Sequence, residues 1–433
     1  MDHLPTLPAD AGDGVPAGGP LPIAVVGAGA AGLLAALFAA RSGAPVVLLE
    51  RTTDGGRKIL ISGGGRCNIL PSLAQPARYV TASSPNTLRK ILLSWPLAEQ
   101  RAFFEAELGM PLVREEETGK LFPSSQRARD VRDVLVARTR EAGARIWLGA
   151  KVTGLAPVAV EGPVRPSWIV TVEGAPPLRA AAVVVATGGL SVPATGSEGT
   201  GLALARDLGH QIHPTYPALT PLTAYPHPHA ALAGISLTVT LRAPGTKPPF
   251  ETTDGLLVTH RGWSGPAVLD SSHLAVRGRP DGARQELLVQ WTPRGPEAWD
   301  AELAAGGQAT ARSALTPWLP RRLADHLCGE ARVDPDTRLA QLRREERQAL
   351  VAALTAYPLP WTGDEGYRKA EVTGGGVALS EVDPRTLESR RTPGLFFCGE
   401  VLDAFGPIGG HNFLWAWSTG RAAGLGAAAH AAS

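Results

Sequence analysis

The chain has 433 residues, enough for two or three structural modules with a sizeable buried core. Its 42 basic and 40 acidic side chains nearly cancel, so no broad field draws nucleic acid or an acidic membrane surface, and neither is expected as a partner. Cys67, Cys328 and Cys398 are too few and too widely spaced for a disulfide framework, which points to a reducing compartment, best the cytoplasm; no apolar run reaches the roughly 18 residues of a membrane span.

Residues 1 to 20 hold Pro, Gly, Asp and Ala with almost no large apolar side chain, which predicts a loose tail, and they carry no basic stretch of the secretory kind. The apolar strand Ile23 to Val26 then feeds a glycine turn, GAGAAG, which opens a helix ending at Gly43; a second strand follows from Pro45 to Leu49. This is a strand-turn-helix-strand dinucleotide fingerprint. Gly27 permits the tight turn, Gly29 lets backbone approach a pyrophosphate and Gly32 lets helix and strand pack closely, so Gly27, Ala28, Gly29, Ala31 and Gly32 form the candidate cradle at a helix N-terminus. Glu50, at the end of the second strand, is placed to accept hydrogen bonds from ribose hydroxyls.

Helical patterns follow over 87–110 and 126–142, and strands over 144–148, 168–172 and 182–186, the last a continuous apolar run of the kind covered on both faces. From about Thr195 the pattern alternates with period two at 235–241. Further strands are expected at 256–259 and 286–291 between Pro/Gly-rich turns, so an antiparallel, barrel-like insert is expected. A helical stretch then places Leu339, Leu342, Leu350, Val351 and Leu354 largely on one face, with the charge run Arg343 to Arg347 on a solvated one. Glycine-rich turns and a buried strand over 394–398 return near the end.

Two segments favour a flavin. The strand ending Ala186-Thr187-Gly188-Gly189 puts small residues where a nucleotide must pass, and another strand delivers Gly399 and Glu400 to the same kind of edge, where a carboxylate can hold ribityl hydroxyls. A helix beginning near Gly409, Gly410, His411 and Asn412 would face the flavin pyrimidine with its positive end. The stretches GGRKILISGGGRCN (55–68), LVTHRGWSGPAVL (257–269) and GLFFCGEVLDAFGPIGGHNFLWAWSTGRAAG (394–424) resemble the bacterial FAD-dependent oxidoreductases grouped with aminoacetone oxidase and the bile-acid dehydro-steroid reductase. The resemblance covers nearly everything after residue 20. It implies an α/β fold in which a glutathione-reductase-like Rossmann FAD-binding domain is interrupted by a β-barrel insert with a helical subdomain. The corresponding boundaries are 21–192 and 371–433 for the FAD domain and 193–370 for the insert, β-rich over 193–293 and helical over 294–366.

The resemblance also implies a cofactor loop containing Gly65, Arg66, Cys67 and Asn68, and the expected FAD contacts further include Arg51, Arg57, Lys58 and Val152. Glu400 stands where similar flavoproteins carry aspartate, and His411 where relatives often carry an aromatic residue. Cys67, lacking a CxxC partner, reads first as structural, and His260 reads equally as a pocket or a surface residue; with His411 these are the catalytic candidates, none of them assigned. Gly262 to Pro266 only superficially matches a hydrolase elbow, since proline replaces its last glycine; Ser264 before Pro266 is a better helix-start signal. His210, His213, His227 and His229 lie in a proline-studded stretch without matching cysteine or carboxylate spacing, so no metal is expected. The expected activity is oxidation of a small amine, with hydride passing to flavin N5 and dioxygen as acceptor. The alternatives are reduction of an enone double bond by NAD(P)H through the flavin, with nicotinamide a transient donor, and a flavin module in RNA modification or redox sensing.

Overall fold

Runs of valine, leucine and isoleucine, apolar on both faces, build the first sheet. The computed structural model describes residues 20–116, 118–158, 167–277 and 284–433, so the expected tail lies, apart from Pro20, outside the described residues. The chain divides into two units, one running to Thr215 and resuming over Val372–Ser433, the other comprising Tyr216–Glu371.

The first unit is a doubly wound domain. Strands β1 (Ile23–Val26), β2 (Val46–Glu50), β3 (Arg145–Leu148), β4 (Ala182–Val185) and β5 (Leu395–Phe397) form one sheet in the order β5-β4-β1-β2-β3. Every neighbouring pair is parallel. All residues of β1, β2, β4 and β5 are buried, as the uninterrupted apolar runs require. Helix α1 (Ala30–Arg41) joins β1 to β2 and packs along α2 (His411–Ala432). The two approach at backbone distance: a Cβ on Gly420 would lie 2.4 Å from the Ala31 carbonyl oxygen.

The stretch 87–110, expected as one helix, is instead helix Pro85–Leu92, helix Leu97–Ala102 and a π-turn Phe103–Glu107, because Pro96 has no N–H to carry the first helix onward. Residues 193–215, expected in the insert, belong to the first unit. Their helix Thr200–Asp207 buries Leu202, Leu204 and Ala205 in its core, and strand Ile212–Ala218 pairs with Val372–Val377.

The second unit is a seven-stranded antiparallel sheet with helices. Its strands run in the order Tyr357–Pro358, Leu288–Gln290, Ser236–Ala243, Phe250–Val258, Gly262–Ser264, Leu222–Thr223, Gly363–Asp364. Trp263, Trp291, Trp299, Leu323 and Leu350 lie in its own buried core. Helix Pro266–Arg277 falls inside the stretch expected to be β-rich, opening at the proline whose missing N–H suits a first turn. The strands at 357–358 and 363–364 fall inside the stretch expected to be helical; each is two residues long and shows no period of its own. Leu339 sits in a 3₁₀ turn and Leu342 just after it, before the helix Arg344–Thr355, which buries Leu350 and Leu354. Among the described residues no helix is long and apolar enough to cross a membrane.

Within that core His229 is fully buried. Trp263 Nε1–H donates to His229 Nδ1 at 3.0 Å, which leaves the proton on Nε2 for Tyr357 Oη, 2.9 Å away. Burial first, then the charges of His326 and His227, push its pKa down to about 3. An unfolded histidine takes up a proton near pH 6.5, before the folded one does, so stability is present above that pH and is lost as the pH falls toward 3. By pH 5 the loss is on the order of 2 kcal/mol for this residue. The urea midpoint should fall between pH 7 and pH 5, and the fall should be smaller in His229→Gln; equal pH dependence in both proteins would refute the assignment.

Candidate functional site

The glycine turn leaves β1 with the Gly27 N–H bound to the Leu49 carbonyl of β2 at 2.8 Å. Gly27 has φ +102°, and a Cβ on Gly32 would lie 1.8 Å from the Gly27 carbonyl oxygen, so these two positions admit only glycine. Gly29 differs: a Cβ there would meet nothing within 4 Å. Beyond it α1 begins with no side-chain cap, which leaves first-turn N–H donors and the positive helix end available to an anion. Glu50 is buried and braces this turn, its Oε2 accepting from the Ala28 N–H at 2.8 Å and its Oε1 from the Thr52 N–H at 2.8 Å and Oγ1 at 2.7 Å. Arg51 pairs with Glu198, Arg57 with Asp54, and Val152 is buried at the start of strand Val152–Val158.

A second group gathers around Glu400. Lys58 Nζ reaches Glu400 Oε2 at 2.6 Å and also donates to Ser191 Oγ, which in turn donates to Glu400 Oε1. The Thr373 N–H adds a third donor to the carboxylate, to Oε1 at 2.9 Å, and Thr373 Oγ1 accepts from the backbone of Leu190 and Ser191. Gly189 makes room for this: a Cβ on it would fall 2.4 Å from Thr373 Oγ1 and 3.0 Å from Glu400 Oε1. Thr187 and Gly188, the latter at φ +71°, continue the chain from β4 into this group, and the Gly399 N–H is held by Thr419 Oγ1 at 2.9 Å.

In the loop after residue 61, Gly63, Gly64 and Gly65 are all left-handed, as is Cys67 at φ 60°. Burial pushes the Cys67 thiol up to about 12, so it carries no thiolate near neutral pH, in keeping with a structural role. Arg66 pairs with Glu115 and lies over the Phe122 ring at 4.2 Å; Asn68 places its Oδ1 beside Gly63. Gly409 and Gly410, both at positive φ, lead into α2, whose first residue is His411. Asn412 is committed to the chain itself, its amide bonding both the N–H and the carbonyl of Gly406. His411 is buried, and burial above all, then Arg78, lowers its pKa to about 4, so it is neutral; its Nδ1 has no partner among the described residues. His260 stands exposed in a bend of the second unit.

A family model described as HI0933-like protein Rossmann domain matches residues 21–426. The chain belongs to the HI0933-like family. It is 33% identical to a 3-dehydro-bile acid delta(4,6)-reductase of Clostridium scindens over 414 residues, 94% of this chain and 98% of that protein. It is also 32% identical to a ribosomal RNA dihydrouridine synthase of Escherichia coli over 407 residues, 91% of this chain and 95% of that protein. A similar synthase of Haemophilus influenzae is 33% identical over 406 residues, 93% and 97% of the two chains. The open conformation of a flavocytochrome c3 fumarate reductase shares the fold, with a TM-score of 0.50 at 16% identity over 98% of this chain and 81% of that one.

As an HI0933-like protein the chain is an FAD-dependent oxidoreductase. The residues present fit the cofactor: an uncapped helix end beside the open space at Gly29 suits a pyrophosphate, and the orphaned Nδ1 of buried His411 lies at the start of the helix expected to face the ring. Ser191 and Thr373 were not among the expected site residues. A serine after GGL and a threonine at the start of VTGGG carry no motif, and only the fold brings them to Glu400. Among the described residues no cluster of three or more His, Cys, Asp or Glu is arranged to hold a metal ion.

Proposed function

We propose that the chain is a flavin-dependent reductase that saturates a carbon–carbon double bond conjugated to a carbonyl, working in the cytoplasm with its three cysteines free and buried. The observation that carries this reading is near full-length likeness to a bile-acid delta(4,6)-reductase and to dihydrouridine synthases, names that all denote loss of such a double bond. When bound, FAD supplies the hydride chemistry. The chain's own part is to seat the pyrophosphate at Gly27–Gly32, to hold Lys58 and Ser191 in place through Glu400, and to offer neutral His411 as a donor or acceptor. The substrate is a small-molecule enone in the first reading. Two dihydrouridine synthases among the relatives favour a second, in which the acceptor is a uracil ring in RNA.

Among the described residues no second strand-glycine-helix dinucleotide unit follows the first, so nicotinamide should reach the flavin only transiently. In anaerobic mixing, NADPH or NADH should reduce the flavin with weak saturation, and a conjugated enone should then reoxidise it. The rival is oxidation of a small amine with dioxygen as acceptor. Direct reduction by an amine, peroxide release in air and no turnover with enones would replace the proposal with that reading.

A further inference from the structure

In the second unit, strand Leu222–Thr223 lies between Gly262–Ser264 and Gly363–Asp364. The segments flanking these strands carry charge. Arg261, Arg368 and Lys369 line, with Asp364 and Glu365, a cavity of about 390 Å³. The two carboxylates are partly occupied: Asp364 Oδ1 accepts from the Gly366 N–H at 2.7 Å, and Glu365 lies 3.8 Å from the Arg261 guanidinium. Arg368 and Lys369 are exposed and make no ion pair among the described residues. Beside them Tyr225 is 91% exposed, although its backbone is fixed by an N–H bond to Thr362 Oγ1 at 2.9 Å and the preceding Ala224 N–H is bound to the Arg261 carbonyl. A fourth cation, Arg284, lies over the Trp361 ring at 3.9 Å.

An aromatic ring left in water gives the fold no packing energy, and its backbone is tied to segments that carry cations, to Arg261 through Ala224 and to Thr362 next to Trp361. That combination suits a single strand of nucleic acid, whose bases stack on exposed rings while its phosphates meet lysine and arginine. Net charge does not oppose this, because at physiological salt charges act over about 8 Å and a local excess is not averaged with the rest of the surface. We propose that this face of the second unit binds single-stranded RNA, with Tyr225 stacking on a base and Arg261, Arg284, Arg368 and Lys369 holding the phosphates. The proposal rests on the uracil reading of the substrate.

The test is fluorescence anisotropy of a labelled oligouridylate with the FAD-loaded protein. Wild type should bind at micromolar concentration or better; Tyr225→Ala should weaken binding about tenfold. Arg368→Glu with Lys369→Glu should weaken it at least as much and reduce the slope of log Kd against log salt by about 1.4. Both variants should keep their FAD and reduce a small enone at the wild-type rate. Absent binding by wild type, equal affinity in all three proteins, or tighter binding to anionic phospholipid vesicles than to RNA would overturn the proposal. Loss of enone reduction in wild type alone would strike the reductase reading and leave the RNA surface standing.

Discussion

Gly29→Val should purify folded and colourless. Bulky replacements at Gly27 or Gly32 would be ambiguous, since a Cβ at either position collides with backbone, at 2.7 Å from the Ala186 carbonyl oxygen and 1.8 Å from the Gly27 carbonyl oxygen respectively. Loss of cofactor there could follow from a broken fold. At Gly29 an added Cβ meets no atom within 4 Å among the described residues beyond its own chain neighbours, so the side chain of valine is expected to fit the protein and fill the space in front of α1. A pyrophosphate held by N–H groups at hydrogen-bond distance cannot share that space. The expected result is a thermal midpoint within a few degrees of the FAD-free wild type and a loss of FAD affinity of a hundredfold or more, equivalent to about 2.7 kcal/mol. FAD retained in one-to-one ratio would show that the phosphate lies elsewhere.

Glu400→Ala should raise the FAD dissociation constant about tenfold or more. The substitution removes the acceptor for Lys58, Ser191 and the Thr373 N–H together, and bonds to a charged group are worth roughly 1.5 to 3 kcal/mol each. Lys58 is then free to swing out, and Ser191, fully buried, loses its anchor. Glu400→Asp keeps the charge but shortens the reach, so its effect should be milder. Fluorescence titration of FAD against the unloaded proteins reads the constant directly, and an unchanged value in the alanine variant would show that this group stands outside the cofactor's reach.

The residues legible from sequence were those whose role is local. A glycine turn between a strand and a helix is set within a dozen residues, and Gly27 to Gly32 lie where periodicity and sterics place them. Long-range partnerships were not legible. Glu50 faces Ala28 across the βαβ turn and braces it, whereas the reading along the chain assigned its oxygens only to a ribose. Asn412, expected as a cofactor contact, spends its amide on Gly406, six residues away, a pairing visible only once the loop is folded. The break at Pro96 was written in the sequence, yet the apolar spacing on either side of it continued smoothly and masked the proline's effect.

The first unit's discontinuity has a consequence for synthesis. Its sheet lacks β5, and α1 lacks α2, until the segment from Val372 onward leaves the ribosome, because both partners lie in that segment. From the completion of β4 to the appearance of β5 about 200 residues must be made, which at 5 to 20 residues per second takes roughly 10 to 40 s. Throughout that interval the edge of β4 and the small-residue face of α1 are uncovered, and by its end every residue of the second unit has been made. The second unit can therefore close before the first, and the group around Glu400 and the helix that begins at His411 join the glycine turn only afterwards.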